Sequence, residues 1–168
     1  QFKRHSVVAS TVSALSKSGL APQRLLLEIT ESLLMSDTDS VLEQLRQLKK
    51  LGVAIVMDDF GTGYSSLGYM LKFPFDRIKI DRSFVSQLEG GSESANSVVQ
   101  TIIALGHTLK MNVTAEGVET AAQAAVLQGM NCDDAQGYLF GRPMPATDIP
   151  ALLMKSFAVE WTKQRRTN

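Results

Sequence analysis

The amino-acid sequence predicts an α/β fold with a parallel sheet, on three observations. Four short apolar runs are separated by segments of helical periodicity, the alternation expected of successive βα units. Each run ends in charges that a strand covered on both faces normally excludes. Leu25-Leu26-Leu27 meets Glu28, Val53 to Met57 meets Asp58 and Asp59, Ile78 and Ile80 flank Lys79 before Asp81, and Val113-Thr114-Ala115 meets Glu116. The third observation is the count. Four clear βα units and a weaker fifth fit into 168 residues, whereas a closed eight-stranded barrel takes about 250 residues. The expected architecture is therefore a TIM-type (β/α) barrel, incomplete in this chain, with the first strands missing.

The elements follow in order. Val8, Val12 and Leu15 share a helical face, and Gly19 stops that helix where a left-handed residue is easy. Pro22 precedes the strand Leu25 to Thr30. Ser40 and Glu43 read as a capping box for a helix carrying Val41, Leu45 and Leu48, ended by Gly52. The strand Val53 to Asp58 leads to a loop, Phe60 to Tyr64, and a short helix, Ser66 to Leu71, cut by Pro74. A strand from Arg77 to Asp81 comes next, then a loose Gly90-Gly91-Ser92 loop. Val98, Ile102, Leu105 and Leu109 mark another helix. Asn112 to Ala115 is a strand, and Thr120 with Gln123 caps an Ala-rich helix that stops at Gly129. A weaker strand spans Ala135 to Leu139. The last helix runs from about Asp148, with Leu153, Phe157 and Trp161 on one face. No internal repeat is evident.

Composition narrows the function classes. Seventeen basic residues balance seventeen acidic ones, so no global field attracts nucleic acid or an anionic membrane. Any anionic substrate must be held locally. Cys132 is the lone cysteine, which excludes an internal disulfide and fits a reducing cytosol; it reads as a small semi-buried residue. No run of about 18 apolar residues and no charged-then-apolar leader occurs, so neither a membrane span nor a signal peptide is expected. His5 and His107 read as surface imidazoles, and Lys163, Arg165 and Arg166 as a solvated tail.

Ligands in parallel α/β folds bind at the carboxyl ends of the strands, where these acids fall. Two carboxylates ~4 Å apart repel by about 4 kcal/mol at an effective dielectric of ~20, so a bound cation is the natural companion of such a rim. In Asp58-Asp59-Phe60-Gly61-Thr62-Gly63, adjacent strand side chains point to opposite faces, and the two acids share a site only if the backbone leaves strand geometry. Gly61 and Gly63 permit that. Two metal ions need a bridging carboxylate, which adjacent acids supply; helix capping is the competing reading. Lys79 faces opposite to Ile78 and Ile80 on a covered strand, so it is either functional or part of a structural ion pair. Glu28 shares the parity of Leu26, and Glu31 is a supporting or capping acid. Glu116 and Glu119 straddle Gly117 in the same manner, and Gln136 offers a neutral hydrogen-bonding group.

Five ordered segments carry a family resemblance: Leu27-Glu28-Ile29-Thr30-Glu31-Ser32, Asp58 to Leu67, Lys79-Ile80-Asp81-Arg82-Ser83-Phe84-Val85, Ala115-Glu116-Gly117-Val118-Glu119-Thr120, and Gln136-Gly137-Tyr138-Leu139-Phe140. Together they resemble the EAL-domain phosphodiesterases of bacterial cyclic di-GMP signalling. The resemblance implies a partial EAL domain over residues 1–155, with residues 156–168 a helix end and basic tail. It implies a two-metal site for Mg²⁺ or Mn²⁺, with Glu28, Asp58, Asp59 and Glu119 as ligands and Asp58 bridging. Lys79 would hold the attacking water, Glu116 would assist its activation, and Gln136 and Asp81 would support. Glu31 would anchor the loop that holds Phe60, Gly61, Thr62 and Gly63.

The implied reaction is hydrolysis of cyclic di-GMP to linear pGpG. The namesake Glu-Ala-Leu glutamate and an asparagine ligand would lie upstream of Gln1, so this segment alone is expected to be inactive and to associate, as a homodimer. The parent would be cytoplasmic or membrane-anchored with this domain in the cytosol, and an upstream sensory or GGDEF-type domain fits. No nucleic-acid partner and no membrane contact from this segment are expected. The alternative is a non-catalytic cyclic di-GMP receptor or protein-interaction module derived from the same family.

Overall fold

The computed structural model describes residues 7–30, 33, 38–61, 67–90, 92–154 and 161. Five strands are found among them: β1 (Leu26–Thr30), β2 (Ala54–Phe60), β3 (Arg77–Ile80), β4 (Asn112–Glu116) and β5 (Asp134–Gln136). Their sheet order follows the sequence, β1-β2-β3-β4-β5. β1 pairs β2 in parallel from Leu26 opposite Ala54 to Thr30 opposite Asp58, and β4 pairs β5 in parallel with Glu116 opposite Gln136. The helices are α1 (Val7–Ser18), α2 (Thr38–Lys50), α3 (Leu67–Lys72), α4 (Arg82–Val85), α5 (Glu93–Thr108), α6 (Ala121–Gly129) and α7 (Ile149–Leu153). This is the predicted α/β alternation.

Two compact units form, residues 1–79 with 108–112 and residues 80–107 with 113–168. In the first, Val41, Leu45 and Leu48 of α2 are buried, as are Ile55, Val56 and Met57 of β2. Three consecutive buried positions mean that β2 is covered on both faces, as parallel strands are. Burying each such side chain fully is worth about 1.5–3 kcal/mol. Phe73 and Phe75 stack with ring centroids 6.0 Å apart in the chain leading to β3.

Two expectations for this unit are revised. α2 has already begun by Thr38, so Ser40 and Glu43 lie inside the helix rather than capping it. Glu43 instead accepts a hydrogen bond from Gln47 one turn on, at 3.1 Å. In α1, Thr11 is buried while Val12 is 44% exposed, so the inward face is turned from the predicted Val8-Val12-Leu15 stripe.

In the second unit, α5 buries Ala95, Val99, Ile102, Ile103 and Gly106. The predicted stripe shared Ile102 with this one but centred elsewhere; Val98 is 41% exposed and Leu109 lies past the helix end. Ala95 and Gly106, which carry almost no side chain, belong to the buried face. The capping box at Thr120 and Gln123 is formed as predicted. β5 ends at Gln136 rather than Leu139, because the chain turns there, with Phe140 N–H donating to Gly137 O at 3.1 Å. Leu153 is 71% exposed, contrary to its place on the predicted inward face, and Phe157 lies outside the described residues. The Trp161 indole donates to Asp133 O at 3.0 Å and meets the Phe140 ring edge-on.

Backbone hydrogen bonds tie the end of β5 to the segment after β4. Val118 N–H donates to Gln136 O at 3.0 Å and Leu139 N–H donates to Val118 O at 3.1 Å. A Cβ on Gly137 would collide with the Val118 backbone. Gly137→Ala should therefore lower stability by about 2 kcal/mol or more, because the obstacle is main chain. In a thermal melt that is a drop of about 4–8 °C; an unchanged Tm would show that the two backbones do not meet.

Candidate active site

β3 reads Arg-Ile-Lys-Ile, and all of Ile78, Lys79 and Ile80 are buried, Lys79 to 5% exposure. A lysine so placed needs a countercharge. Lys79 Nζ lies 2.9 Å from Glu28 Oε2 and 3.0 Å from Asp58 Oδ1. The parallel register explains why these acids are neighbours: Thr30 lies opposite Asp58, and Glu28 stands one pleat repeat back on the same face. Asp58 lies in the carboxyl-terminal half of β2, whereas Glu28 is the middle residue of β1 rather than its end, because the strand runs on to Thr30. Each contact is worth about 5 kcal/mol of gross attraction at an effective dielectric of ~20, before desolvation is subtracted.

Asp58 Oδ1 is buried and, despite its 3.0 Å approach to Nζ, makes no hydrogen bond among the described residues. An oxygen of that kind is a ready ligand for a hard cation. Asp59 follows with φ 55, a left-handed conformation inside a strand. Such a residue costs about 1–3 kcal/mol, and aspartate is among the side chains that tolerate it best. The predicted departure from strand geometry thus occurs at Asp59 itself, ahead of Gly61 at φ 96. Neither acid stands at a helix start, since both lie within β2. Phe60 is buried at the end of that strand rather than in a loop. Glu31, Thr62 and Gly63 lie outside the described residues. Asp58 and Asp59 each offer a carboxylate oxygen within 4.8 Å of the other, a donor set that fits a hard divalent cation.

The second unit carries its own strand-end residues. Glu116 closes β4 opposite Gln136 at the end of β5. Gly117, at φ 68, lets the chain turn against Arg82, where a Cβ would strike that side chain. Glu119 is exposed, and its N–H donates to Gln123 Oε1 at 2.8 Å, which fixes the loop to α6. Asp81 caps α4 and accepts from Ser83 N–H at 2.9 Å. Hydrogen bonding from the Ser83 side chain, aided by backbone hydrogen bonds, holds the Asp81 carboxyl below the usual carboxylate range against the opposing effect of burial. An open pocket of about 670 Å³ adjoins Gln136, and the Arg142 guanidinium lies 4.4 Å above the Tyr138 ring on its wall.

His107 is not the surface imidazole that the sequence suggests. Its Nε2 lies 3.1 Å from Asp133 Oδ2, and Asp133 is 4% exposed. Its place on a helix said nothing of a carboxylate 26 residues away.

These observations define an α/β domain of the TIM-barrel type, with acids and one buried lysine at the carboxyl ends of its strands. The chain belongs to the EAL domain family, whose model matches residues 1–143. It is 47% identical over 151 residues to MucR of Pseudomonas aeruginosa, a bifunctional diguanylate cyclase/cyclic di-GMP phosphodiesterase, covering 90% of this chain and 22% of that protein. The solved MucR phosphodiesterase in complex with cyclic di-GMP matches with a TM-score of 0.82 and 45% identity, over 88% of this chain and 60% of that one. The manganese and cyclic di-GMP complex of Klebsiella pneumoniae BlrP1 at pH 9.0 matches with a TM-score of 0.78 and 32% identity, over 84% of this chain and 36% of that one. The first three curated relatives matched are much longer, and the chain spans between 16% and 22% of their length.

Cys132 stands apart from this chemistry. It is 5% exposed, and burial pushes its thiol up to about 12. The native protein at pH 8 should therefore give no rapid reaction with a disulfide reagent, and one thiol should appear on denaturation. Rapid labelling of the native protein would show that the thiol is accessible.

Proposed function

We propose that this chain is part of a metal-dependent phosphodiesterase that opens cyclic di-GMP to linear pGpG. The observation that carries the proposal is the buried Lys79 held by Glu28 and Asp58, with Asp58 Oδ1 lacking a hydrogen bond. Family membership and the resemblance to MucR and BlrP1 support the substrate.

Glu28, Asp58 and Asp59, with Glu119, would hold Mg²⁺ or Mn²⁺. When bound, the ions would supply positive charge to the phosphodiester and make water more acidic. Lys79 donates a hydrogen bond into one lone pair of the attacking water and so leaves the other to face phosphorus. By family resemblance, Glu116 would accept the proton that the water loses, and Gln136 would hydrogen-bond that water through its amide. A new P–O bond forms, the P–O3′ bond breaks, and the 3′ oxygen takes up a proton from solvent, to which Glu116 returns the one it accepted. Tyr138 and Arg142 present a stacked, cationic face suited to a nucleobase.

Hydrolysis belongs to the longer protein that carries these residues; the 168-residue segment alone is proposed to lack turnover and to associate as a homodimer. Upstream sensory or GGDEF-type domains and a cytosolic setting complete the reading.

Asp58→Asn in the full-length protein should lower cyclic di-GMP hydrolysis by about 100-fold or more, since it removes charge from a ligand without changing volume. Product chromatography with Mg²⁺ or Mn²⁺, beside a melt, reads this. Activity within a few fold of wild type would dismiss the metal assignment, and a wild type that binds cyclic di-GMP without cleaving it would make the protein a receptor.

Lys79→Met should lower kcat by at least about 10-fold and leave KM within about threefold, because its proposed partner is the water. A raised KM with unchanged kcat would make Lys79 a substrate clamp instead.

A further inference from the structure

A carboxylate bridging a helix and a strand occurs in both units, each time three residues before a strand-end group. In the first unit, Asp76 Oδ2 accepts from Ile55 N–H at 2.8 Å while its other oxygen is paired with Lys49 of α2. Asp76 N–H donates back to Ile55 O at 2.9 Å, and Asp76 O accepts from Asn112 N–H at 2.9 Å. Both main-chain groups of Ile55 are thus held by one residue.

Three residues beyond Ile55 is Asp58, and three beyond Asp76 is Lys79, the pair found 3.0 Å apart. In the second unit, Asp133 Oδ2 accepts from Val113 N–H at 2.8 Å and pairs with His107 of α5. Three residues beyond Val113 is Glu116, and three beyond Asp133 is Gln136, which lie opposite one another in register.

Neighbouring strands match only if their register is fixed, because a slip of one residue sends every side chain to the opposite face. Asp76 fixes it at the amino-terminal ends, about 10 Å along the strands from where it matters, at ~3.3 Å per residue. The same construction at Asp133 argues for a built device rather than an incidental surface pair. Asp76 itself is partly exposed, at 37% for its side chain, so it is not held there by a need for burial.

We propose that Asp76 is a positioning residue: its carboxylate locks β2 against the chain entering β3, so that Lys79 meets Asp58 in the geometry that orients water. This rests on the phosphodiesterase reading for its kinetic consequence, and on the described contacts for its structural one.

The test uses the full-length protein with Asp76→Ala and Asp76→Asn, followed by steady-state kinetics, a melt, and acetic anhydride labelling of Lys79 read by mass spectrometry. In folded Asp76→Ala, kcat should fall about tenfold or more with KM within about twofold, because a small misplacement weakens orientation rather than binding. Lys79 should label several-fold faster while exposed Lys110 is unchanged. Asp76→Asn keeps an oxygen for Ile55 N–H but not the charge, and should restore both kcat and Lys79 protection.

Wild-type kcat or wild-type Lys79 protection in folded Asp76→Ala would overturn the proposal, as would Asn behaving like Ala. If Asp76→Ala does not fold, Asp76→Asn decides alone: a protected Lys79 supports the lock, and an unprotected one overturns it. A wild-type protein that does not cleave cyclic di-GMP would end the phosphodiesterase reading and leave the labelling result to judge the lock.

Discussion

A buried ammonium group is the constraint around which the first unit is arranged. Lys79 sits between two fully buried isoleucines on β3. Removing Glu28 or Asp58 would take away a countercharge that offsets several kcal/mol of desolvation at this ammonium group. Those acids have to arrive from two other strands, which makes the pairing register of β1 with β2 a matter of electrostatics as well as packing. One side chain therefore links local sequence, sheet geometry and chemistry.

The same placement carries a surplus of negative charge. Lys79 contributes one positive charge against Glu28 and Asp58, and Asp59 follows directly on the same strand. A protein selected only for stability has no reason to gather acids there, since like charges at this range oppose folding. The left-handed turn at Asp59 adds a backbone penalty in the same place. Charge surplus, an oxygen without a hydrogen bond and local strain coincide on three consecutive elements of the sheet, which is how a binding site differs from a core.

Much of the fold was legible in the residues. Apolar runs with charged ends located β1 to β4, and Thr120 with Gln123 located the start of α6, because these signals are local and the structure obeys them. Lys79 was found by parity, since its neighbours Ile78 and Ile80 could only be buried on a strand. What escaped was long-range. Periodicity of large apolar side chains puts Val98 on the inward stripe of α5, whereas the buried face includes the small residues Ala95 and Gly106, which such a pattern does not register. Ser40 and Glu43 match a capping box in spelling, yet the helix starts earlier. His107 and Asp133 are 26 residues apart, and Lys49 and Asp76 are 27 apart. No periodicity reports such pairs; only the repeated three-residue step to Lys79 and Gln136 hints at them. Glu119, Gln136 and Glu116 could be placed at strand ends from sequence, but their roles rest on family resemblance.

The backbone at Asp59 also limits how this protein can lose its chemistry by drift. At φ 55 a β-branched or bulky side chain is strained, whereas asparagine and glycine are comfortable. Both are reached from an aspartate codon by a single base change. A lineage that no longer needs the charge at this position can therefore discard it by the shortest genetic route and keep the sheet intact. Lys79 has no equally gentle exit, since removing it leaves Glu28 and Asp58 facing one another. In descendants that lose this site, the acid at Asp59 should be the earlier loss and the lysine the later one.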